Sequence, residues 1–472
     1  MILGPRGKRA GASPSPGKTP VIFPSRITTV ACGTTTSGVG CSVQSTSAVQ
    51  VGSARLGPLG GGLNGPVLLG WAMPGEAVSN ATNDKMHPAV RILDDIPVDY
   101  QIVPSRPMPP NRSNFLRLLI VLPSWVGDVA MATPTLRAIR NAYPGVFIAG
   151  MARAGIDELL ESSGLVDEVL VVRSSGVMGI KRAAARARPL RFDAALLLKN
   201  SFSSALMARV AGIPRRIGYD RDVRGMLLTD ALDPPRRPDG SWEPISAVRY
   251  YWNLAAAYLL DGAGRPTSGM GTMELDVSPA QAAAGEEILS KAGVGRHDRV
   301  AMLNPGANAA VKRWPADRFA AIADRLSERG WKVLVNGSPA EADVVAAVLA
   351  ACRGPAPVAL PTVGIRLGSL KHVIRRANLV VTNDTGPRHM AAALGTPLVS
   401  LFGPTDVRWA IIPTRPGAPE ACVIADPTLP PELIANDHHD RCAMTKISVD
   451  RAWEAVESVI GSSHQPANSL TA

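Results

Sequence analysis

The strongest constraint on the fold is a set of short, wholly apolar runs, each followed by a helix period. Leu118–Leu122 (LLIVL) has no polar residue, and an amphipathic pattern follows from about Val126 to Asn141. A run this short, with no in–out alternation, fits a strand covered on both faces, as in a parallel sheet. Val146–Met151, Val169–Val172 and Ala194–Leu198 repeat the signal, Arg216–Tyr219 is a weaker fifth strand, and Ala247–Leu260 reads as a long amphipathic helix. A second series places strands at Val300–Asn304, Lys332–Asn336, Leu379–Thr382 and Leu398–Phe402. Its helices fall at about Pro315–Arg329, Ala340–Cys352, Ser369–Arg376 and Pro387–Leu394, and a last helix runs from the cap Ser448 to a stop at Gly461. Two βα series predict an α/β chain of two doubly wound, Rossmann-like domains, 115–280 and 281–472, joined through the Gly/Pro/Ser/Thr-rich stretch Asp261–Gln281. Such domains face each other across a cleft walled by strand C-termini and helix N-termini, where α/β sheets bind ligands.

Residues 1–114 break this pattern. Stretches such as GASPSPGKTP and CGTTTSGVGCSVQSTS offer no helix period and little apolar surface to offset ordering entropy, so the segment is expected to be a disordered extension. Either translation begins near Met108 or the extension is a dispensable tail; both readings expect a chain starting at Met108 to keep its fold and activity. The basic start (Arg6, Lys8, Arg9) has no apolar stretch behind it like that of a secretory signal. The Gly-rich Leu59–Gly65 lacks the Gly-Lys-Ser/Thr of a phosphate loop. No apolar run reaches the roughly 18 residues that span a bilayer. The five cysteines form no CxxC pair, which favours a reducing compartment over a zinc module or a disulfide scaffold.

Lys and Arg number 50 against 39 Asp and Glu, and the excess of +11 divides into +5 in residues 1–114 and +6 in the rest. That mild excess suits an anionic small molecule or membrane surface as well as nucleic acid. One concentration stands out: Lys181, Arg182, Arg186, Arg188 and Arg191, with no acid among residues 174–192. It reads either as a solvated helix face or as a face for an anionic lipid surface.

Four loops carry candidate chemistry. In Val381–His389 (VTNDTGPRH) a buried strand ends in a polar turn and Pro387 opens a helix, so Thr385 and Gly386 would offer backbone N–H groups at a positive helix end. A phosphate site and a well-capped turn at Asp384 or Thr385 both fit. Asn304–Pro315 puts Lys312 and Arg313 just before a helix, where an ammonium can neutralise a diphosphate. In Asn336–Glu341, Glu341 either caps the next helix or accepts from ribose hydroxyls. In Pro123–Asp128, Asp128 falls in the first turn of a helix, as a general base or a dipole-complementing acid. Lys199-Asn200-Ser201 ends a strand in the same layer and could bond a sugar. No His/Asp/Glu cluster has metal-ligand spacing; His438-His439-Asp440 reads as a solvated loop or a brace.

Five co-linear blocks resemble the ADP-heptose:lipopolysaccharide heptosyltransferases of glycosyltransferase family 9, most of all their type II branch. They are Ser124–Leu136 (SWVGDVAMATPTL), Leu196–Tyr219, Asn304–Pro315 (NPGANAAVKRWP), Asn383–Ala391 (NDTGPRHMA) and Phe402–Asp406 (FGPTD), and the likeness covers about Leu116–Ile460. The resemblance implies a GT-B fold with a final helix crossing back to the first domain, and an inverting heptosyl transfer from ADP-heptose to the lipopolysaccharide inner core. It implies no metal and no cofactor, and a cytoplasmic enzyme peripheral on the anionic inner membrane, with a lipid-linked acceptor and no nucleic acid. It places Asp128 at the catalytic acid/base position and Lys312, Glu341, Asp384, Thr385 and Gly386 at the donor. Acceptor contacts are expected from Asn200, Ser201, Arg221 and Arg224, and His389 as a brace. Pro387 and Arg388 depart from the apolar or small residues usual before that histidine, and Ser246 stands where a histidine is common. Competing readings are another nucleotide-sugar enzyme, such as an epimerase, or a non-catalytic carbohydrate-binding relative. Asp128 is expected to be held ionised by the helix N-terminus and nearby cations.

Overall fold

The structure is a computed structural model that describes residues 90–91, 115–173, 176–261, 269–430, 433–434 and 439–462. In chain order a two-residue strand β1 (Val90–Arg91) is followed by β2 (Arg117–Val121), α1 (Val126–Ala142), β3 (Phe147–Ala152), α2 (Ile156–Leu160), β4 (Glu168–Val171) and α3 (Gly176–Ala187). Then come β5 (Ala194–Leu197), α4 (Phe202–Val210), β6 (Arg215–Tyr219), β7 (Asp230–Leu232) and α5 (Ala247–Tyr258). The second series is α6 (Pro279–Lys291), β8 (Val300–Asn304), α7 (Ala316–Glu328), β9 (Lys332–Val335), α8 (Ala342–Ala351), β10 (Val358–Ala359), α9 (Leu367–Arg376) and β11 (Leu379–Asn383). It closes with α10 (Gly386–Leu394), β12 (Leu398–Phe402), β13 (Glu420–Ile424), α11 (His439–Cys442) and α12 (Val449–Ser462).

The first sheet runs β4-β3-β2-β5-β6-β7, all parallel. The second runs β1-β13-β12-β11-β8-β9-β10, parallel except for β1. In each, the order in which strands are added reverses beside the first long strand, between β2 and β5 and between β8 and β11. Those are the topological switch points at which open α/β sheets leave a crevice. The strands read as apolar runs because helices cover both faces: Leu118, Ile120 and Val380 pack on one side, and Leu119, Val121 and Val381 on the other.

One apolar core crosses from the first sheet to the second. It joins Val129 and Ala132 of α1 to Met390 and Ala393 of α10, so the two helices are held together by burial. Their N-termini meet at a glycine: a Cβ on Gly127 would stand 2.6 Å from Nδ1 of His389.

Four expectations change. The stretch Asp261–Gln281 is not all linker, because Ser278 and Gln281 form a capping box that opens α6 at Pro279. The last helix does not cross to the first sheet within the described residues: Trp453, Val456 and Val459 of α12 pack in the core of the second. It is capped by Ser448 as expected but continues through Gly461 to Ser462. Inside the segment expected to be disordered, β1 pairs antiparallel with β13 at Cys422 and Val423; the rest of 1–114, Met108 included, lies outside the described residues.

Candidate active site

Both switch points open on one cleft of about 710 Å³. Its first wall is the start of α1 with Trp125, Gly127 and Asp128; its second carries Lys312, Glu341 and the turn Asp384–Pro387. The expected donor residues and the expected base therefore line one space.

On the second wall, Asn383 fastens the loops together. Its amide nitrogen donates to the carbonyl of Pro305 at 2.9 Å, and its amide oxygen accepts from the Trp314 backbone N–H at 3.2 Å. Thr385 is the N-cap of α10 with extended backbone and no side-chain cap, and Pro387 occupies the first turn, so the helix start presents backbone N–H groups to the cleft. His389 donates from Nδ1 to the Thr385 carbonyl at 2.9 Å. Burial, then Arg388, pushes its pKa down to about 4, so it is a neutral brace.

Lys312 ends a 3-10 turn (Ala310–Lys312) and lies 3.3 Å from Asp384, with about a third of its side chain exposed. Asp384 also meets Arg388 at 3.3 Å. Burial pushes the Asp384 carboxyl up, but the Arg388 and Lys312 cations outweigh it and hold its pKa below the ordinary value. Arg388, noted in the sequence only as a departure, is fully buried. It grips Glu420 with two bonds of 2.6 and 3.0 Å, donates to the Ala410 carbonyl and lies over the Phe402 ring. The row Lys312–Asp384–Arg388–Glu420 alternates in sign from the cleft to the core.

Glu341 takes the capping role left open for it, and does so at the cleft wall. Its carboxylate accepts from the Ser338 backbone N–H and hydroxyl, each at 2.8 Å, and it lines the cleft. A Cβ on Gly306 would stand 2.2 Å from its Oε1, so only glycine admits this approach.

For Asp128 the direction expected of its pKa is reversed, although the group stays ionised at neutral pH as expected. Burial first, then the negative charge of Asp384, raises its pKa to about 6, overriding the helix N-terminus. Lys312, on the other wall of the cleft, is engaged by Asp384.

The four expected acceptor residues divide. Asn200 accepts from Arg224 at 2.8 Å and donates to the Tyr250 hydroxyl at 3.1 Å. Ser201 caps α4 through the Ser204 N–H. Arg221 lies partly exposed over the Trp242 ring, 4.8 Å from its centroid. Arg224 is a correction: it is fully buried, spending its donors on Tyr219, Lys199 and Asn200, so it positions Asn200 and does not reach the cleft. Trp125, 52% exposed with Arg153 over its ring, stands on the rim; its place in the strand-to-helix turn was the only signal in the sequence. Ser246 caps α5. His438 lies outside the described residues, among which no group of three or more His, Cys, Asp or Glu could hold a metal ion.

Comparison with known proteins bears on this cleft. The model of glycosyltransferase family 9 (heptosyltransferase) matches residues 181–424. Lipopolysaccharide heptosyltransferase 2 of Salmonella typhimurium is 31% identical over 299 residues, covering 61% of this chain and 83% of the relative. The structure of E. coli ADP-heptose lipopolysaccharide heptosyltransferase II superposes with a TM-score of 0.60 at 26% identity, covering 73% of this chain and 98% of that one. A family 9 glycosyltransferase of Veillonella parvula gives 0.62 at 21% identity, covering 74% and 98%.

Proposed function

The chain belongs to glycosyltransferase family 9, and from that premise we propose that it moves a heptose from ADP-heptose to a hydroxyl of the lipopolysaccharide inner core, with inversion and without a metal ion. The observation that carries the reading is one cleft with a carboxylate on one wall and a lysine beside an open helix N-terminus on the other. The likeness to the Salmonella and E. coli heptosyltransferases supports the donor and the acceptor class.

In this reading the ADP diphosphate lies against Lys312 and the N–H groups at Thr385 and Gly386, and Glu341 accepts from the ribose hydroxyls. The acceptor hydroxyl approaches from the α1 side, near Asn200, Ser201 and Arg221. Its oxygen bonds to the anomeric carbon as the bond from that carbon to the phosphate oxygen breaks. Asp128 takes the hydroxyl proton, and ADP leaves with the electron pair. The growing charge on the leaving phosphate is met by Lys312 and the helix dipole, which is the task a metal would otherwise perform. ADP-heptose is a substrate, and no cofactor enters.

Among the described residues no helix is long and apolar enough to cross a membrane. Lys181, Arg182 and Arg186 are exposed on α3 and support peripheral attachment to the anionic cytoplasmic face of the inner membrane. The test is incubation with ADP-heptose and a heptose-deficient core lipid, with and without chelator. The expected result is acceptor mass increased by one heptose in both. Donor breakdown without transfer would instead support a different nucleotide-sugar enzyme.

A further inference from the structure

A second, smaller pocket of about 210 Å³ adjoins the main cleft and shares Trp409 with it. Its other lining groups include Arg221, Trp242, Glu243 and Tyr250. We propose that this pocket is an acceptor subsite that seats one sugar ring bearing an anionic group, a carboxylate or a phosphate. The inference rests on the heptosyl-transfer reading for the identity of the acceptor, and goes beyond it in naming the subsite and its ligand chemistry.

Size limits the occupant. The volume is below the roughly 300 Å³ from which drug-sized sites begin, so it suits a single ring-sized group. The walls match a sugar's two kinds of surface. Trp242 and Trp409 are 40% and 42% exposed, unusual for tryptophan outside a binding surface, and offer apolar area to the C–H face of a ring. Arg221 supplies the charge: about a third of its side chain is exposed, and its ion pair with Asp222 is a long one of 3.7 Å. A partly exposed guanidinium on a pocket wall suits a carboxylate or phosphate. Glu243, held loosely by Arg237 at 3.6 Å, can accept from ring hydroxyls.

The pocket is also rigid. Trp242 sits on a hairpin closed by the Arg236–Trp242 bridge, by Arg237 N–H to Ser241 O at 2.9 Å, and by Glu243 N–H to Pro235 O at 3.1 Å. Gly240 takes the positive φ of 82° that its turn requires. Arg236 lies 4.1 Å from the Trp242 centroid. Tyr250 stacks on Tyr219 with centroids 3.9 Å apart, and its hydroxyl is reached by Asn200. Trp409 comes from the second sheet's side, in the 3-10 turn Val407–Ala410, and forms the shared wall. A ring in the pocket is thus beside the main cleft, against Arg221 and next to the Tyr250 hydroxyl that Asn200 reaches.

The test uses the full chain and a deacylated lipopolysaccharide core oligosaccharide, in native form and with its phosphates removed. Acceptor KM, donor KM and Tm are measured, together with oligosaccharide binding by calorimetry in the absence of donor. Arg221→Met is expected to raise acceptor KM and Kd on the order of tenfold or more, the weight of one charge-assisted contact. Trp242→Ala and Trp409→Ala should each raise them severalfold, with donor KM within twofold of wild type and Tm nearly unchanged. Arg221→Lys should recover part of the loss. If the Arg221 effect survives phosphate removal the anion is a carboxylate, and if it vanishes the anion is a phosphate. Acceptor KM and Kd unchanged in all three variants would overturn the subsite. Arg221-dependent binding without heptosyl transfer would keep the subsite and remove the transfer reading; absence of both would remove the two together.

Discussion

Asp128→Asn separates catalysis from helix capping because the two roles predict opposite signs in stability. The folded carboxyl has a pKa of about 6 against an ordinary 3.8. Its folded value is raised, so the folded protein holds the proton more tightly than the unfolded chain between those values. Ionised Asp128 therefore costs stability above pH 6, and the cost fades as pH falls through 6 towards 4. A shift of about two units corresponds to about 3 kcal/mol. Asparagine removes the charge and keeps the shape, and forfeits only about 0.3–1 kcal/mol of helix-dipole interaction. The balance favours the variant by about 2 kcal/mol at pH 8, seen as a Tm several degrees higher, with no gain at pH 4. Activity moves the other way: losing a general base lowers kcat by about 10²–10⁴-fold. In the wild type, kcat/KM should fall about tenfold per pH unit below pH 6, and the Asn variant should lose that limb. Measuring kcat, kcat/KM and Tm across pH on one pair of preparations decides it. Near-normal turnover, or a lower Tm at pH 8, would refute the base assignment and leave Asp128 as a capping acid.

Three other outcomes are expected. Lys312→Ala removes a charge-assisted contact worth roughly 1.5–3 kcal/mol, so ADP affinity by calorimetry should weaken on the order of tenfold to a hundredfold. Arg388→Met leaves Glu420 buried and uncompensated and should cost about 3–5 kcal/mol by denaturant unfolding, while Arg388→Met with Glu420→Gln should recover most of it. Binding to vesicles containing anionic lipid should fall steeply between low and high salt, and fall again when Lys181, Arg182 and Arg186 become Ala; salt-insensitive binding would remove α3 as the docking face.

The long buried strands were legible because each is apolar on both faces, so periodicity alone marks it, to within a residue or two at β2, β3, β5, β8 and β12. The elements that escaped have no such mark. β7 begins with Asp230, whose buried carboxylate pairs with Arg215 at 3.1 Å. β13 begins with Glu420, buried only because Arg388 reaches it from 32 residues away. A charge in a strand argues against burial until its partner is known, and that partner is set by tertiary packing. α6 was hidden for another reason: Ser278 and Pro279 read as linker punctuation, although together with Gln281 they form a cap. In the site, positions were legible and states were not. The turn into α1 put Asp128 at the cleft, but its pKa depends on Asp384, 256 positions later in the chain. Arg224 looked like one more cation near the acceptor until its burial showed it holding Asn200.

The alternating row of charges gives that dependence a direction. Lys312, the one member of the row with substantial exposure, is paired with Asp384. When it turns to a diphosphate, Asp384 is not left without a partner, because Arg388 stays in contact with it, shared with Glu420, and the row keeps one net negative charge. The cation can thus be handed over without leaving an unpaired buried carboxylate, whose cost would otherwise oppose donor binding. Asp128 responds to the same transfer. The diphosphate brings more negative charge to the facing wall than Lys312 cancels, and the bound donor displaces water, so both influences raise its pKa further. kcat reports the donor-bound enzyme and kcat/KM the free one. The acid limb of kcat should therefore lie at higher pH than that of kcat/KM, and in Asp384→Asn the kcat/KM limb should itself move to lower pH, because the Asp384 charge raises Asp128 in the free enzyme. Coincident limbs in the wild type would show that Asp128 does not sense the donor, and that the base is another group.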